Sequence, residues 1–174
     1  MRSPMLSGKD RFVYQRGEFL VKKEIKIRKA NKEDIPQLLD LMHLYIVDFY
    51  KRPEPDKESL KTLITNLIDN QTLGRQFVAE KAGELLGFAT LYFSMSTLQV
   101  KKTAILNDLF VLDAARGQQL GERLFQACLF YIRENDFAYM TWETAKDNLI
   151  AQSLYVKMGG QLSEWLTYEM KSSE

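Results

Sequence analysis

The residues whose types and spacing best suit binding or catalysis lie in the segment that covers residues 105–125. An apolar strand that carries Asp108 is followed by a turn containing Arg116 and Gly117, and Gly121 falls in the first turns of an amphipathic helix. Helix N-termini present unpaired amides and a positive dipole end, and a small residue there lets a phosphate approach the backbone. The segment therefore predicts a phosphate site, with an ordinary strand-to-helix connection as the alternative. It is not a P-loop, because no Gly-Lys-Ser/Thr triplet follows.

A second set of residues lies further along the chain. Asn148, Ala151 and Tyr155 are spaced by three and four, which places them on one face of a helix. An Asn amide can hold a polar ligand group, alanine leaves room for it, and a phenol can donate a proton. A tyrosine that fills the core is the alternative interpretation.

Composition excludes several kinds of site. The 174 residues include one histidine and one cysteine, which excludes an internal disulfide and the usual His/Cys metal cages and disfavours Ser-His catalysis. The formal charge of +1 argues against nucleic-acid binding through charge alone. No apolar run approaches the roughly 20 residues that span a bilayer, and the polar N-terminus has no signal-peptide core. These observations predict a soluble cytoplasmic protein with no metal, nucleic-acid partner or membrane contact.

Hydrophobic periodicity predicts one mixed α/β domain in residues 24–174, preceded by an N-terminal extension in residues 1–23 that has no sustained period. The predicted strands cover residues 23–28, 76–80, 85–93, 103–112, 137–142 and 165–170. The predicted helices are residues 32–49 after an Asn31 cap, a helix capped by Asp56 that runs to residue 69, one that follows the Gly117 turn, and residues 148–158.

The strand, turn and helix of residues 105–125, followed along the chain by Asn148, Ala151 and Tyr155, resemble motifs of the GNAT superfamily of acyl-coenzyme A dependent N-acetyltransferases. The central motif of that family is Gln/Arg, two free positions, Gly, one free position and Gly/Ala. This chain reads Arg116, Gly117, Gln118, Gln119, Leu120, Gly121. The first and last positions match, and Gln119 replaces the middle glycine. We expect this departure to be tolerated if residue 119 has ordinary helical angles.

The likeness covers about residues 24–170 and implies an α/β (α+β) fold, with a mixed, mostly antiparallel central sheet that is flanked by helices and splays open where the cofactor enters. Residues 105–111 and 148–155 look most like the diamine (spermidine/spermine) acetyltransferases and the related small histone and polyamine acetyltransferases. The implied function is direct transfer of an acetyl group from acetyl-CoA to a primary amine. That amine is a polyamine-like molecule or a protein lysine or N-terminus, and homodimers are common in the superfamily.

The resemblance also implies roles for individual residues. The backbones of Leu109 and Val111 would pair with the pantetheine arm, Asn148 would bind the pantetheine side, and Tyr155 would protonate the leaving thiolate. The pyrophosphate would be held by Arg116 and by the amides of Gly117, Gln118, Gln119, Leu120, Gly121 and Glu122.

Asp108 is the leading candidate for removing the amine proton. Similar diamine acetyltransferases carry two adjacent acidic residues here, and the first of them is replaced by Asn107. Glu143 or a water molecule therefore remains an alternative base, and Asp108 could instead cap a loop or pair with an arginine.

Other residues favour structural roles. Cys128 falls on a buried helical stripe and His43 lies at a surface or packing position. Four acidic residues could attract a cationic amine or simply be solvated: Asp48, Glu54, Asp56 and Glu58. Six aromatic residues could line an acceptor pocket or belong to the core: Tyr45, Phe49, Tyr50, Tyr92, Phe93 and Trp142. A non-catalytic acyl-CoA sensor and a cofactor-free adaptor are the rival functions.

Overall fold

The computed structural model describes residues 12–15, 18–21 and 24–172. The strands are β1 (Phe12–Gln15), β2 (Glu18–Val21), β3 (Lys26–Lys29), β4 (Gly74–Lys81), β5 (Glu84–Ser96), β6 (Lys101–Val111) and β7 (Met140–Thr141). The α-helices are α1 (Ile35–His43), α2 (Lys57–Asp69), α3 (Leu120–Glu134) and α4 (Leu149–Lys157). The chain divides into two compact units, Met1–Trp142 and Glu143–Glu174, and α4 belongs to the second.

The first unit is built on a five-stranded sheet of order β3-β4-β5-β6-β7. The first three pairings are antiparallel, whereas β6 and β7 are parallel. This confirms the predicted mixed, mostly antiparallel sheet flanked by helices. Within the predicted extension, β1 and β2 pair with each other as a separate antiparallel ribbon. The domain boundary at residue 24 stays a prediction.

The first helical segment begins at a capping box. Asn31 Oδ1 accepts a hydrogen bond from the Glu33 amide and Asp34 Oδ2 accepts one from the Asn31 amide, both at 2.8 Å. Two bonds of 2.7 Å join the Arg28 guanidinium to Asp34, and a third of 2.8 Å joins it to Glu80. These contacts fix the start of the segment against β3 and β4.

The predicted helix over residues 32–49 is confirmed in extent, but its last part is wider than an α-helix. Residues Leu44–Phe49 form a π-helical turn, which we call the π turn. The amide of Tyr50 donates to the carbonyl of Tyr45 at 3.1 Å, five residues back. The second predicted helix begins where expected, because Asp56 Oδ2 accepts from the Ser59 amide at 2.8 Å.

Helices cover both faces of the sheet. On one face, α1, α2 and the π turn contribute to a core that contains Leu38, Leu41, Met42, Tyr45, Leu60, Ile64, Val78, Leu85, Phe88 and Phe110. On the other face α3 buries Leu124, Phe125 and Cys128 completely or almost so. Burial raises the pKa of the Cys128 thiol, and its predicted core position is confirmed.

Two predicted strands differ from the structure. The strand expected over residues 137–142 is reduced to β7, which pairs only through Met140 and Thr141. Residues 165–170 form no strand, and Trp165 and Tyr168 are exposed. Strand-type composition is insufficient where backbone groups find no partner strand, and none of the described strands pairs with this segment. Among the described residues, no helix has the length and apolar character needed to cross a membrane.

Candidate active site

The strand β6 has an open edge along its C-terminal half. Leu112 N–H donates to the Leu86 carbonyl on the β5 side at 2.9 Å. Because backbone groups alternate in direction, those of Leu109 and Val111 point to the other side of β6. On that side β7 is paired with Ala104 and Ile105 only, and no described strand continues the ladder along residues 107–111. Along residues 107–111, β6 therefore has a described partner strand on the β5 side only.

A β-bulge lies at the start of this open edge. Thr90 of β5 pairs with Asp108, whereas Leu91 pairs with Leu106, so Asn107 is the extra residue. Bulges re-aim side chains and are frequent near active sites. Here Asn107 is exposed while Asp108 is only 6% exposed.

The Asp108 carboxyl group is surrounded by neutral donors. It accepts a hydrogen bond from Asn107 Nδ2 at 3.0 Å, and Thr90, its partner residue on β5, and Tyr45 are its other polar neighbours. Burial raises the pKa of Asp108, and these three donors oppose that effect because they favour the ionised form. None of the ion pairs among the described residues involves Asp108, so pairing with an arginine is not its role here.

Sequence reasoning did not link Thr90, Gln76 or Tyr45 to Asp108. Thr90 also accepts a hydrogen bond from Gln76 Nε2 at 3.2 Å, and Gln76 is 2% exposed. Tyr45 approaches from the π turn, on the same face of the sheet. Only its placement one turn after Met42 on the apolar stripe of the helix could have signalled that it points inward.

The turn between β6 and α3 is tight and contains two residues with positive φ. Gly117 has φ +76° and Gln119 has φ +59°, and α3 begins at Leu120. The first hydrogen bond of α3 runs from the Arg123 amide to the Gln119 carbonyl at 3.0 Å, so the amides of Leu120 and Gly121 precede it. Arg116 is half-exposed at the mouth of this turn and pairs with Asp113 at 2.7 Å. Gln118 donates to the Ala115 carbonyl, and Glu122 lies in the first turn of α3.

Gln119 does not meet the condition of ordinary helical angles. Its φ of +59° and ψ of +21° are left-handed, a conformation in which an L side chain crowds its own backbone. Glycine adopts these angles without that cost, which explains physically why the family motif has glycine at this position.

We therefore expect Gln119→Gly to leave the melting temperature unchanged or raise it. Relief of the left-handed backbone is worth about 1–2 kcal/mol, and the greater freedom of unfolded glycine offsets about 0.5–1 kcal/mol of it. Gln118→Gly is the control at a neighbouring position without positive φ: it relieves no left-handed backbone, bears the entropic cost of glycine and also loses the Gln118 hydrogen bond to the Ala115 carbonyl. A calorimetric comparison in which Gln119→Gly is the less stable variant would contradict the prediction.

The second unit holds Asn148 and Tyr155. Asn148 is the N-cap of α4 rather than a residue of its first turn, and its Oδ1 accepts from the Ala151 amide at 3.2 Å. The predicted shared helical face therefore applies to Ala151 and Tyr155 only. Tyr155 is half-buried and its carbonyl accepts from the Gly160 amide at 2.8 Å, next to Gly159 with φ +84°. The helix ends at these glycines, as predicted.

The remaining candidates fall outside the buried cluster. His43 is 42% exposed and lies 3.4 Å from Glu54, in agreement with a surface position. Asp56 is a helix cap, and Glu143 is exposed in an irregular segment rather than on a strand. Among the described residues, no group of three or more His, Cys, Asp or Glu side chains could hold a metal ion.

The family model of the acetyltransferase (GNAT) family matches residues 38–160. The chain is 32% identical over 135 residues to the uncharacterized N-acetyltransferase YhfO of Bacillus subtilis (strain 168), covering 78% of this chain and 89% of that protein. A crystal structure of a probable acetyltransferase aligns with a TM-score of 0.76 at 28% identity, over 86% of this chain and 99% of that one. An aminoglycoside N-acetyltransferase in complex with CoA has the same fold, with a TM-score of 0.71 at 17% identity over 86% of this chain and 96% of that one.

Proposed function

Because the chain belongs to the acetyltransferase (GNAT) family, we propose that it transfers an acetyl group from acetyl-CoA directly to a primary amine in a ternary complex. The single observation that carries this proposal is the buried Asp108 carboxyl group at the bulge that begins the open edge of β6. This arrangement supports the proposal, because Asp108 would accept a proton beside a strand edge that would pair with an extended ligand.

The residues of the first unit fit acetyl-CoA, which supplies the activated acetyl group as a thioester. The outward backbone groups of Leu109 and Val111 would pair with the amide-containing pantetheine arm, as an added strand pairs with a sheet edge. The amides at the start of α3 and the Arg116 guanidinium would hold the pyrophosphate. In the second unit, Asn148 would contact the pantetheine side through its amide nitrogen, since its oxygen caps α4.

The acceptor side requires a group that removes a proton. An alkyl amine with a pKa near ~10.4 is almost wholly protonated at neutral pH and cannot attack a carbonyl carbon in that form. Asp108 would accept this proton, and the Tyr155 hydroxyl would return one to the leaving thiolate. No residue has to form a covalent acyl intermediate, which agrees with the burial of Cys128.

The identity of the amine is the finer part of the proposal. A polyamine-like molecule and a protein lysine or N-terminal amine both offer the cation that a buried carboxylate attracts. Aminoglycosides, the acceptors named for one structural neighbour, also carry primary amines. A homodimer and a cytoplasmic location remain predictions.

The proposal is tested by measuring free thiol released from acetyl-CoA in the presence of polyamines, aminoglycosides, amino acids and lysine peptides. Thiol release that depends on one amine class identifies the acceptor. Thermal stabilisation by CoA without thiol release over the whole panel would contradict catalysis and favour a sensor. Absence of stabilisation by CoA would contradict the cofactor itself.

The phosphate turn makes a separate prediction. Gly121→Val is expected to weaken CoA binding, because a branched side chain in the first turn of α3 would occupy space that a phosphate needs near the backbone. Isothermal titration with CoA measures the affinity, and circular dichroism shows whether the fold survives. Ala127→Val is the control, since it adds a branched side chain to the same helix away from its N-terminus. Equal CoA affinity in a folded Gly121→Val protein would move the site elsewhere.

A further inference from the structure

A row of three buried polar side chains crosses the centre of the sheet. Gln76 of β4 pairs with Thr90 of β5, and Thr90 pairs in turn with Asp108 of β6. Residues directly opposite each other on neighbouring strands share a face of the sheet, with Cβ atoms about 4.5–5.5 Å apart. Gln76 is 2% exposed, Thr90 0% and Asp108 6%. Thr90 therefore lies between a buried amide and the carboxyl group of the proposed base.

The surroundings of Gln76 fix which end of its amide faces Thr90. Gln76 Nε2 donates to Thr90 Oγ1 at 3.2 Å and to Met42 Sδ at 3.7 Å. A thioether sulfur can only accept a hydrogen bond. The reversed amide would therefore set two acceptors, Gln76 Oε1 and the sulfur, against each other, so the amide nitrogen is the group that faces Thr90.

This orientation decides where the Thr90 hydroxyl hydrogen can go. A hydroxyl group has one hydrogen to donate, and its oxygen accepts. Because the Gln76 amide nitrogen cannot accept, the Thr90 hydrogen does not point towards it and is available to the carboxyl group on the opposite side, that of Asp108. A donor aimed at a carboxyl group favours its ionised form, which is the form that can take up a proton.

Gln76 is poorly satisfied as a core residue. Its Oε1 atom is buried and has no hydrogen-bond partner among the described residues. A buried acceptor that is left unpaired lowers stability, and an apolar side chain of similar size would avoid that cost. Packing of the core therefore does not explain an amide at this position, whereas orientation of the Thr90 hydroxyl does.

We propose that Gln76 and Thr90 are positioning residues that hold Asp108 ionised and ready to accept the proton of the amine. This inference rests on the proposed function, because it takes Asp108 as the base. Gln76 orients the Thr90 hydroxyl group, and that hydroxyl group donates to the carboxylate. Neither Gln76 nor Thr90 exchanges a proton during the reaction.

The titratable neighbours of Asp108 do not change charge in the range where a carboxyl group titrates. Tyr45 of the π turn and Tyr92 of β5 both interact with Asp108. Burial raises the pKa of both phenols, and the Asp108 charge raises it further. Both tyrosines therefore stay neutral while Asp108 gains or loses its proton.

The charged residues of the elements packed around this row lie away from it. Those of α2 are all exposed, as are Asp40 of α1 and Asp48 of the π turn, and His43 is 42% exposed. Arg75 of β4 is buried, but it donates to the hydroxyl of Tyr131 in α3, on the opposite face of the sheet. A pH titration of the row therefore reports the proposed base.

The first experiment needs no acceptor amine. The carboxyl carbon of Asp108 is followed against pH by carbon-13 NMR, and its signal is identified by its loss in Asp108→Asn. In Thr90→Val we expect the titration to move up by about one to two pH units, the usual worth of a hydrogen bond to a charged group. Gln76→Leu should give a smaller upward shift, because the Thr90 hydroxyl is kept but no longer oriented.

Two further variants separate the hydroxyl group from packing. Thr90→Ser keeps the hydroxyl, so Asp108 should titrate as in the wild type. Thr103→Val is the matched control, since Thr103 is also buried but pairs with Ser94, outside the row. A wild-type titration in Thr90→Val would overturn the proposal, as would equal shifts in Thr90→Ser and Thr90→Val. An unshifted titration in Gln76→Leu would overturn the role of Gln76.

The second experiment uses an amine that the thiol-release screen identifies. The acid limb of the kcat/KM profile against pH should move up in Thr90→Val and Gln76→Leu by the same amounts as their carboxyl titrations. On that limb a shift of one unit lowers activity about tenfold, whereas the plateau at high pH should stay near that of the wild type.

The melting temperature completes the test. Gln76→Leu should melt at or above the wild-type temperature, because it removes the unpaired Oε1 from the core. It carries both experiments if Thr90→Val does not fold. A loss of activity that is equal at every pH, together with a lower melting temperature, would show a purely structural role for the row and would overturn the proposal.

Failure of the proposed function has a different signature. Full turnover by Asp108→Asn would remove Asp108 as the base, and the inference would fall with it whatever the carboxyl titrations show. If Asp108→Asn is inactive while Asp108 titrates alike in the wild type, Thr90→Val and Gln76→Leu, the base is retained and only its positioning by the row is wrong.

Discussion

Replacing Tyr155 with phenylalanine is expected to lower kcat about 10²–10⁴-fold, the usual cost of a lost general acid. The change keeps the half-buried ring and removes only the hydroxyl group, so the packing of α4 is preserved. One neutral hydrogen bond to bound cofactor is worth only about 0.5–1.5 kcal/mol. CoA affinity and melting temperature should therefore change little while turnover falls.

The control for this prediction is Tyr168→Phe. Tyr168 belongs to the same unit and is 88% exposed, so its hydroxyl removal reports the general effect of the substitution. Single-turnover kinetics with acetyl-CoA separate the chemical step from binding. A loss of stability rather than of kcat would make Tyr155 a core residue, and an unchanged kcat would leave thiolate protonation to solvent.

Asp108→Asn is expected to reduce turnover by a similar factor, about 10²–10⁴, at neutral pH. In the wild type, activity should rise with pH as the carboxyl group ionises. Because burial raises the pKa of Asp108, this rise should lie above the pH at which an exposed aspartate titrates. The measurement is a kcat/KM profile against pH for both proteins.

The same substitution should not weaken the fold at neutral pH. A carboxyl group whose folded pKa is raised binds more protons folded than unfolded, so its contribution to stability falls as pH rises from the unfolded to the folded pKa. The neutral asparagine escapes this penalty. We expect the melting temperature of Asp108→Asn to equal or exceed that of the wild type at pH 7, and the difference to shrink in acid.

Asp136→Asn is the matched control for Asp108→Asn. Asp136 is an exposed carboxylate in a turn with φ +55°, an angle that asparagine also tolerates. It pairs with Lys101 and has no place in the proposed site. Wild-type turnover in Asp108→Asn would assign proton removal to Glu143 or to water.

The sequence alone determined the local structure of this protein because the signals are local. Asn31 and Asp56 mark helix starts by their short polar side chains, and both act as caps in the structure. The strands predicted over residues 76–80 and 85–93 form β4 and β5, and the helix predicted after the Gly117 turn is α3. The motif in that turn also led to the correct family.

Only the tertiary structure decided how Asp108 is placed. Its neighbours come from β5 and from the π turn, which are distant along the chain, and the bulge at Asn107 turns it into the core. The left-handed backbone of Gln119 and the short β7 likewise contradict their local patterns. Periodicity reports which face of an element is apolar, whereas bulges, π turns and strand ends depend on the hydrogen-bond partners that the assembled sheet provides.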